Sequence, residues 1–434
     1  MGDPLQFTLH ALQGFLGSVG VVWGYVWWIV LPIITAFLFW DFWVMYIQFK
    51  FVSAIQWKLL EIKVPKNNLR TPKSMEQIFA AAHAPYSYGL RWIEKYWEGK
   101  VEYWMSFEMV GHAGALHFYL RLPKQFQALM ESAIYAQYAD AEIREVDPAD
   151  DYLKQFKKLP NEKYEMFGTD IIFHKPSAYP IRTYLLFEDS IEERRIDPIS
   201  SLAETMSRLK DDEQIWIQYL IRPAGPEWKD EAQKVLDKIM GKKEPKKKGG
   251  LDFDLGVSFQ DAVLAPLRHP SLEPKDKKKE DREGPLSNIL YLSPGERAIL
   301  EEIELKTAKL GFETTMRFIY VDNREKFSRE YISSFMGMLR QFTVQNSNLL
   351  KPDKDTLTSA PHQPFKKQKV AWRQRLMHDY FQYLVPSAKS HKTIFNIEEL
   401  ATLYHFPTTA VAAPKLDRVD SRKGGPTPGL PTVG

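Results

Sequence analysis

The sequence predicts an α+β protein: a single N-terminal transmembrane helix, then two or three units of mostly antiparallel sheet with helices on one face. Three observations carry this. An uncharged apolar run extends from Phe15 to Trp40. Residues 103–121 alternate apolar and polar with period two about a GHAG turn. Beyond them, strand-like runs recur between stretches whose apolar residues fall at helical spacing, the order expected of a sheet with helices packed on it.

The first run sets the frame. About 20 apolar residues rising about 1.5 Å each cross the hydrocarbon of a bilayer, and Phe15–Trp40 is longer than that. Phe15, Trp23, Trp27, Trp28, Trp40 and Trp43 are the expected membrane anchor residues. Asp41 ends the uncharged run, yet the chain stays apolar to Trp57 with no turn signal. This predicts one helix emerging through the headgroup layer, which favours the amphipathic rings of Trp40, Trp43, Tyr46 and Trp57. A cleaved signal peptide would need a basic n-region, whereas the first basic residue is Lys50. Lys58, Lys63, Lys66, Arg70 and Lys73 follow closely. The cation bias predicts a single-pass cell-membrane protein with its N-terminus outside and the rest cytoplasmic.

Residues 1–60 are thus the anchor, and the remainder of 434 residues suffices for two or three ordinary domains. The formal net charge is only +3, a mild excess rather than the signature of a nucleic-acid polymer's partner. There is no cysteine, which excludes disulfides, thiolate catalysis and cysteine-ligated zinc.

Taken in order, the first unit covers 61–160. LLEIKVP alternates like a strand, and Thr71-Pro72 opens a helix with Glu76 placed to cap it. Tyr103, Met105, Phe107 and Met109 then alternate with Glu102, Ser106 and Glu108, and after the turn Leu116, Phe118 and Leu120 alternate with His117, Tyr119 and Arg121. That is a hairpin with one buried face. A helix after Pro123 and a returning strand AEIREV close the unit. In the second unit, 161–240, YEMFGTDIIFHK and YPIRTYLLFE read as strands. Asp197-Pro198 begins a helix with Ile199, Leu202, Met206 and Leu209 on one face, EQIWIQYLIRP is a strand, and a helix runs from Glu227 to Met240.

Residues 241–288 are charged and rich in Pro and Gly, and read as a disordered linker around a short apolar island, Phe259–Leu267. The third unit, 289–410, opens with a Ser293/Glu296 capping box; its helix carries Glu302 and Lys306 at i,i+4 and ends at Gly311 as a C-cap. A strand FETTMRFIYV follows. Phe327, Tyr331, Phe335, Met338, Leu339 and Phe342 then line a helix, a basic helix spans Lys366 to Leu384, and a capped one spans Asn396 to Tyr404. Residues 411–434 form a Pro/Gly-rich tail.

Catalytic signatures are missing. No G-x-x-x-x-G-K-[ST], H-E-x-x-H or G-x-S-x-G occurs, and the ten histidines are scattered singly. No catalytic, cofactor-binding or metal-binding residue is expected, and the chain is not read as an enzyme. The lysine runs Lys242–Lys248 and Lys275–Arg282 are interleaved with acids and favour a solvated linker. Lys366, Lys367, Lys369, Arg373 and Arg375 beside Trp372 are the better candidates for contact with nucleic acid or lipid. The last helix is too short to stand alone in water, so Ile397, Leu400, Leu403 and Phe406 must dock on something: the chain's own domain or a partner.

PKNNLRTPKSMEQIF, DPISSLAETMSRL with QIWIQYLIRP, ELKTAKLGFETTMRFIYV and FNIEELATLYHFP, in this order over roughly residues 60–410, resemble the region before the motor domain in conjugation-type, HerA/FtsK-like ATPases of type IV secretion systems, in the membrane-anchored forms of candidate-phyla bacteria. In such proteins a Pro-rich segment like PTPGLPTVG leads into the nucleotide-binding domain, and this sequence stops at Gly434. The resemblance therefore implies a membrane-anchoring and assembly subunit that acts through a separate P-loop motor ATPase, with a homo-oligomer also open. A structural membrane scaffold without a DNA-related role is the alternative.

Overall fold

The computed structural model describes residues 4–65, 68–86, 89–156, 158–187, 197–240, 292–344, 346–359, 366–386 and 393–408, with side chains from Gly24 onward. The expected linker 241–288 and tail 411–434 lie outside the described residues.

Helix α1 runs unbroken from Pro4 to Ser53, so the apolar run and its aromatic continuation form one rod. Between Gly24 and Ser53 it holds an apolar window with no buried residue, long and apolar enough to cross a membrane, and nearer its end Ile47 is buried against the domain. Trp28 Nε1 donates to the Tyr25 carbonyl at 2.9 Å and Thr35 Oγ1 to that of Leu31 at 2.7 Å. Both polar groups are thereby satisfied by the helix itself, as a hydrocarbon environment requires.

The chain then builds a mixed fold around one sheet. Its elements are β1 (Trp57–Lys63), α2 (Lys73–Ala82), α3 (Trp92–Tyr96), β2 (Met105–His112), β3 (Ala115–Pro123), α4 (Gln127–Gln137), β4 (Glu142–Glu145) and β5 (Tyr164–Phe173). After these come α5 (Ser200–Ser207), β6 (Gln214–Pro223), α6 (Glu227–Ile239), α7 (Pro294–Ala308), β7 (Gly311–Asn323), α8 (Glu330–Leu339), β8 (Leu350–Pro352), α9 (Lys366–Gln382), β9 (Thr393–Asn396) and α10 (Ile397–Leu403). The strand order is β4-β1-β3-β2-β6-β7-β5-β8, with β9 beside the start of β7, and the ladders are antiparallel. The three expected units therefore contribute to a single sheet: β2 of the first pairs with β6 of the second, and β6 with β7 of the third. The reason is burial, since nearly every residue of β2, β6 and β7 is covered and each strand needs a neighbour along both edges.

The expected one-faced hairpin is buried on both faces. Phe107, Met109, Phe118, Leu120, Ile217, Tyr219 and Phe318 face a large core closed by α2, α4, α5, α8 and α10. On the other face Val110, Trp216, Ile319 and Val321 are covered by Tyr152, Phe156, Leu159 and, from α9, Met377 and Phe381. Helices thus lie on both faces, because α9 crosses the second. Trp216 is fully buried there; an aromatic of that size hides about 150–250 Å², on the order of 4–6 kcal/mol before entropy is subtracted.

Three local expectations change. YPIRTYLLFE contains a 3₁₀ turn at Tyr184–Leu186 and no strand among its described residues, because its N–H groups go elsewhere: Ile181 to Glu399, Arg182 to the Phe342 carbonyl and Tyr184 to Thr402. Glu76 makes no cap and instead accepts from the Tyr184 hydroxyl and pairs with Lys309. Gly311 is no helix cap but the first residue of β7, where a Cβ would stand 2.7 Å from the Trp228 ring.

Candidate functional site

Polar side chains form a row across the second face of the sheet. In register, Ser106 of β2 faces Arg121 of β3, Glu108 faces Gln218 of β6, and Arg317 of β7 faces both Gln218 and Asp170 of β5. All are buried. Arg121 donates through Nε to Glu108 at 3.3 Å and through Nη1 to Asp151 at 2.8 Å. Glu108 also accepts from Ser106 at 2.7 Å and from the Tyr152 hydroxyl at 2.9 Å. Arg317 donates to Asp170 at 3.0 Å, to Gln218 at 3.3 Å and to the Tyr380 carbonyl at 2.8 Å, and it also holds the Val385 carbonyl.

Burial would drive the Arg121 guanidinium toward its neutral form, but the carboxylates of Glu108 and Asp151 outweigh this and raise its pKa. Burial and the Glu108 charge push the Tyr152 hydroxyl well up. These groups satisfy one another, and through Arg317 they clamp the end of α9 to the sheet. Among the described residues no cluster of His, Asp and Glu could hold a metal.

The exposed chemistry lies at one end of this layer. A cleft of about 670 Å³ opens between the start of β5, the loop after β7 and the start of α9. Arg324, Arg329, Lys366 and Lys367 line it with a single carboxylate, Glu165, over an apolar floor that includes Phe327 and Val370. Arg324 reaches Glu165 at 3.4 Å, and Gln374 donates to Glu165 at 2.7 Å. Four cations against one anion, in a concave site, suit an anionic ligand. The cleft is at the end of the sheet opposite α1. The near end holds Trp57, Met105 and Ile221, and the ten residues of β6 separate the ends by about 30 Å at about 3.3 Å each.

Of the expected nucleic-acid or lipid contacts, the structure brings Lys366 and Lys367 into the cleft. Arg373 turns to the Leu357 carbonyl at 2.9 Å. Lys369, Trp372 and Arg375 do not line it, although Trp372 is 60% exposed. Arg324 and Arg329 escaped sequence reasoning, and the signal was present: two arginines bracket Phe327 directly after a strand. The expected partner-docking face is corrected. Leu400, Leu403 and Phe406 are buried in the main core and Ile397 packs against it, so α10 docks on its own domain. Its cap is as expected, with Asn396 and Glu399 bonded reciprocally. Of the anchor residues, Trp27, Trp28 and Trp40 are exposed while Trp43 packs on Trp97; Phe15 and Trp23 lie on α1 with side chains outside the described residues.

An antiparallel sheet with helices on both faces, preceded by an apolar N-terminal helix, defines an α+β protein. Residues 48–419 match the model of a family described as a domain of unknown function (DUF8128), and the chain belongs to that family. No curated protein matches it. Among solved structures it is similar, at 10% identity and a TM-score of 0.22, to a variant of a berberine bridge enzyme, a reticuline dehydrogenase. The match covers 84% of this chain and 56% of that one, and at that score it bears on neither fold nor activity.

Proposed function

We propose that the protein is the membrane-anchoring and assembly subunit of a conjugation or type IV secretion-like translocation motor, acting through a partner P-loop ATPase. The observation that carries the anchoring half is α1, which passes without a break from an exposed apolar span into a domain that grips its last turns. The resemblance of the segments from PKNNLRTPKSMEQIF to FNIEELATLYHFP supports the motor half. The cation bias after Lys50 favours an N-terminus outside the cell and a cytoplasmic domain.

Burial of α10 in the core removes the docking helix that sequence reasoning offered, and this favours a second reading, a structural membrane scaffold without a DNA-related role. One experiment separates the two. The full chain is captured from detergent-solubilised membranes and its companions are identified by mass spectrometry. A stoichiometric P-loop ATPase supports the motor reading; only envelope or cytoskeletal proteins would leave the scaffold. A reporter at Gly434 active only in the cytoplasm supports the orientation, and an externally active one overturns it.

A further inference from the structure

We infer that α3 is a second membrane contact: Trp92, Ile93 and Trp97 rest at the headgroup–acyl boundary of the bilayer that α1 crosses, and they seat the domain flush against it. This rests on the reading of α1 as a membrane span. The three side chains are 58%, 61% and 64% exposed, and they crowd into six residues.

Their position relative to the span is fixed by aromatic contacts. The Trp40 ring stacks on Trp92 at 6.3 Å and on Tyr96 at 5.9 Å, Trp43 lies 6.0 Å from Trp97, and Trp43 Nε1 donates to the Tyr96 carbonyl at 3.4 Å. Behind α3, Gly99 adopts φ +69° and lies so close to α1 that a Cβ would stand 2.5 Å from the Ile47 carbonyl. Thus α3 is held at the level of Trp40 and Trp43.

That level matches the membrane surface. Residues 15–40 extend about 39 Å at about 1.5 Å each, whereas the hydrocarbon is about 30 Å thick, so a centred span puts Trp40 about 4–5 Å outside it, among the headgroups. The chemistry fits the same depth. Tryptophan favours the boundary, and the exposed Arg91 and Lys95 suit anionic headgroups. Glu94 is engaged by the Arg91 N–H at 2.9 Å and by Lys100 at 3.3 Å. Phe42, Met45, Tyr46 and Phe49 remain exposed on α1, so the apolar surface near this level comes from two elements.

The chain has no cysteine, so single-cysteine variants take one label each. Ile93→Cys, Ala36→Cys and Asp211→Cys, the last at the far end of the sheet, are labelled with an environment-sensitive fluorophore in the full chain and reconstituted into phosphatidylcholine–phosphatidylglycerol vesicles. Nitroxide placed on the acyl chain near the headgroup should quench the Ile93 label about twofold, as expected for a boundary depth, while the Asp211 label stays unquenched. The Ala36 label should answer to nitroxide deep in the chain. If Ala36 is quenched by lipid but Ile93 answers only to aqueous iodide, α3 stands in water and the inference falls while the anchor stands. If Ile93 is shielded from both quenchers, protein covers it, and the inference also falls. Lack of lipid quenching at Ala36 would overturn the span itself.

Discussion

The buried pair Lys306–Glu399 shows what a single residue decides in this fold. Their side chains are 1% and 0% exposed, at 2.9 Å. Burial pushes the Lys306 ammonium down and the Glu399 carboxyl up, each against the attraction of the other. The local pattern paired Lys306 with Glu302; the fold gives it a partner 93 residues away whose carboxylate also accepts the N–H groups of Asn396, the cap of α10, and of Ile181. Lys306→Met leaves the Glu399 charge uncompensated and should cost about 3–5 kcal/mol in denaturant unfolding, whereas the double variant K306M/E399Q should recover part of it. An equal loss in both would mean that the missing Lys306 contacts, not the stranded charge, dominate. His378 gives the pH response. Burial lowers its pKa, and its Nε2 has no partner among the described residues. The unfolded chain takes up the proton first, so stability is full above about pH 6.5 and declines below it as the imidazole is forced to charge. Acidification from about pH 7.5 to about pH 5.5 should lower the thermal midpoint, and His378→Phe should lessen that drop; an unchanged drop would assign it to other groups.

At the scale of elements, what the sequence revealed is what local periodicity can encode. The β2–β3 hairpin, β6, β7 and the stripes of α5 and α8 all lie where alternation or helical spacing placed them. So does α1 as one continuous helix. The second buried face was not legible, because Glu108, Gln218, Asp170 and Arg317 look like solvent-facing positions. Apart from Ser106, two residues from Glu108, the partners of their side chains sit 13 to 163 residues away, and no window of a dozen residues contains those. The cleft was half legible for the same reason: Lys366 and Lys367 sit on one helix, while Arg324 and Arg329 arrive from the end of another strand. The docking of α3 on α1 depends on one position. Gly99→Ala meets both a positive φ and the Ile47 backbone, so it should separate the 91–104 segment from α1. The expected readout is faster proteolysis between residues 86 and 104 with the sheet intact; unchanged cleavage would show that the aromatic contacts suffice alone.

Over the whole molecule, attachment and charge are at opposite ends. Val52 and Trp57 pack with Trp104, Leu220 and Leu384 at the near end, and the four cations of the cleft stand at the far end, beyond the reach of headgroups. On the proposed reading of α1 as a membrane span, a soluble polyanion is the expected ligand for them rather than that bilayer. Lys366→Glu with Lys367→Glu should elute from heparin at distinctly lower salt than the parent, with an unchanged melting profile; equal retention would place the basic surface elsewhere. The strand order also sets a timetable. Beside β2 stands β6, which a ribosome adding roughly 5–20 residues per second delivers about 5–20 seconds later, and β7 follows after a similar wait. Through the first interval the nascent chain carries a finished hairpin whose β2 edge has no neighbour, and through the second the open edge is that of β6. Because slower elongation lengthens both intervals, slowing translation should raise the share of the chain found as aggregate, and an unchanged share would show that the open edges do not associate.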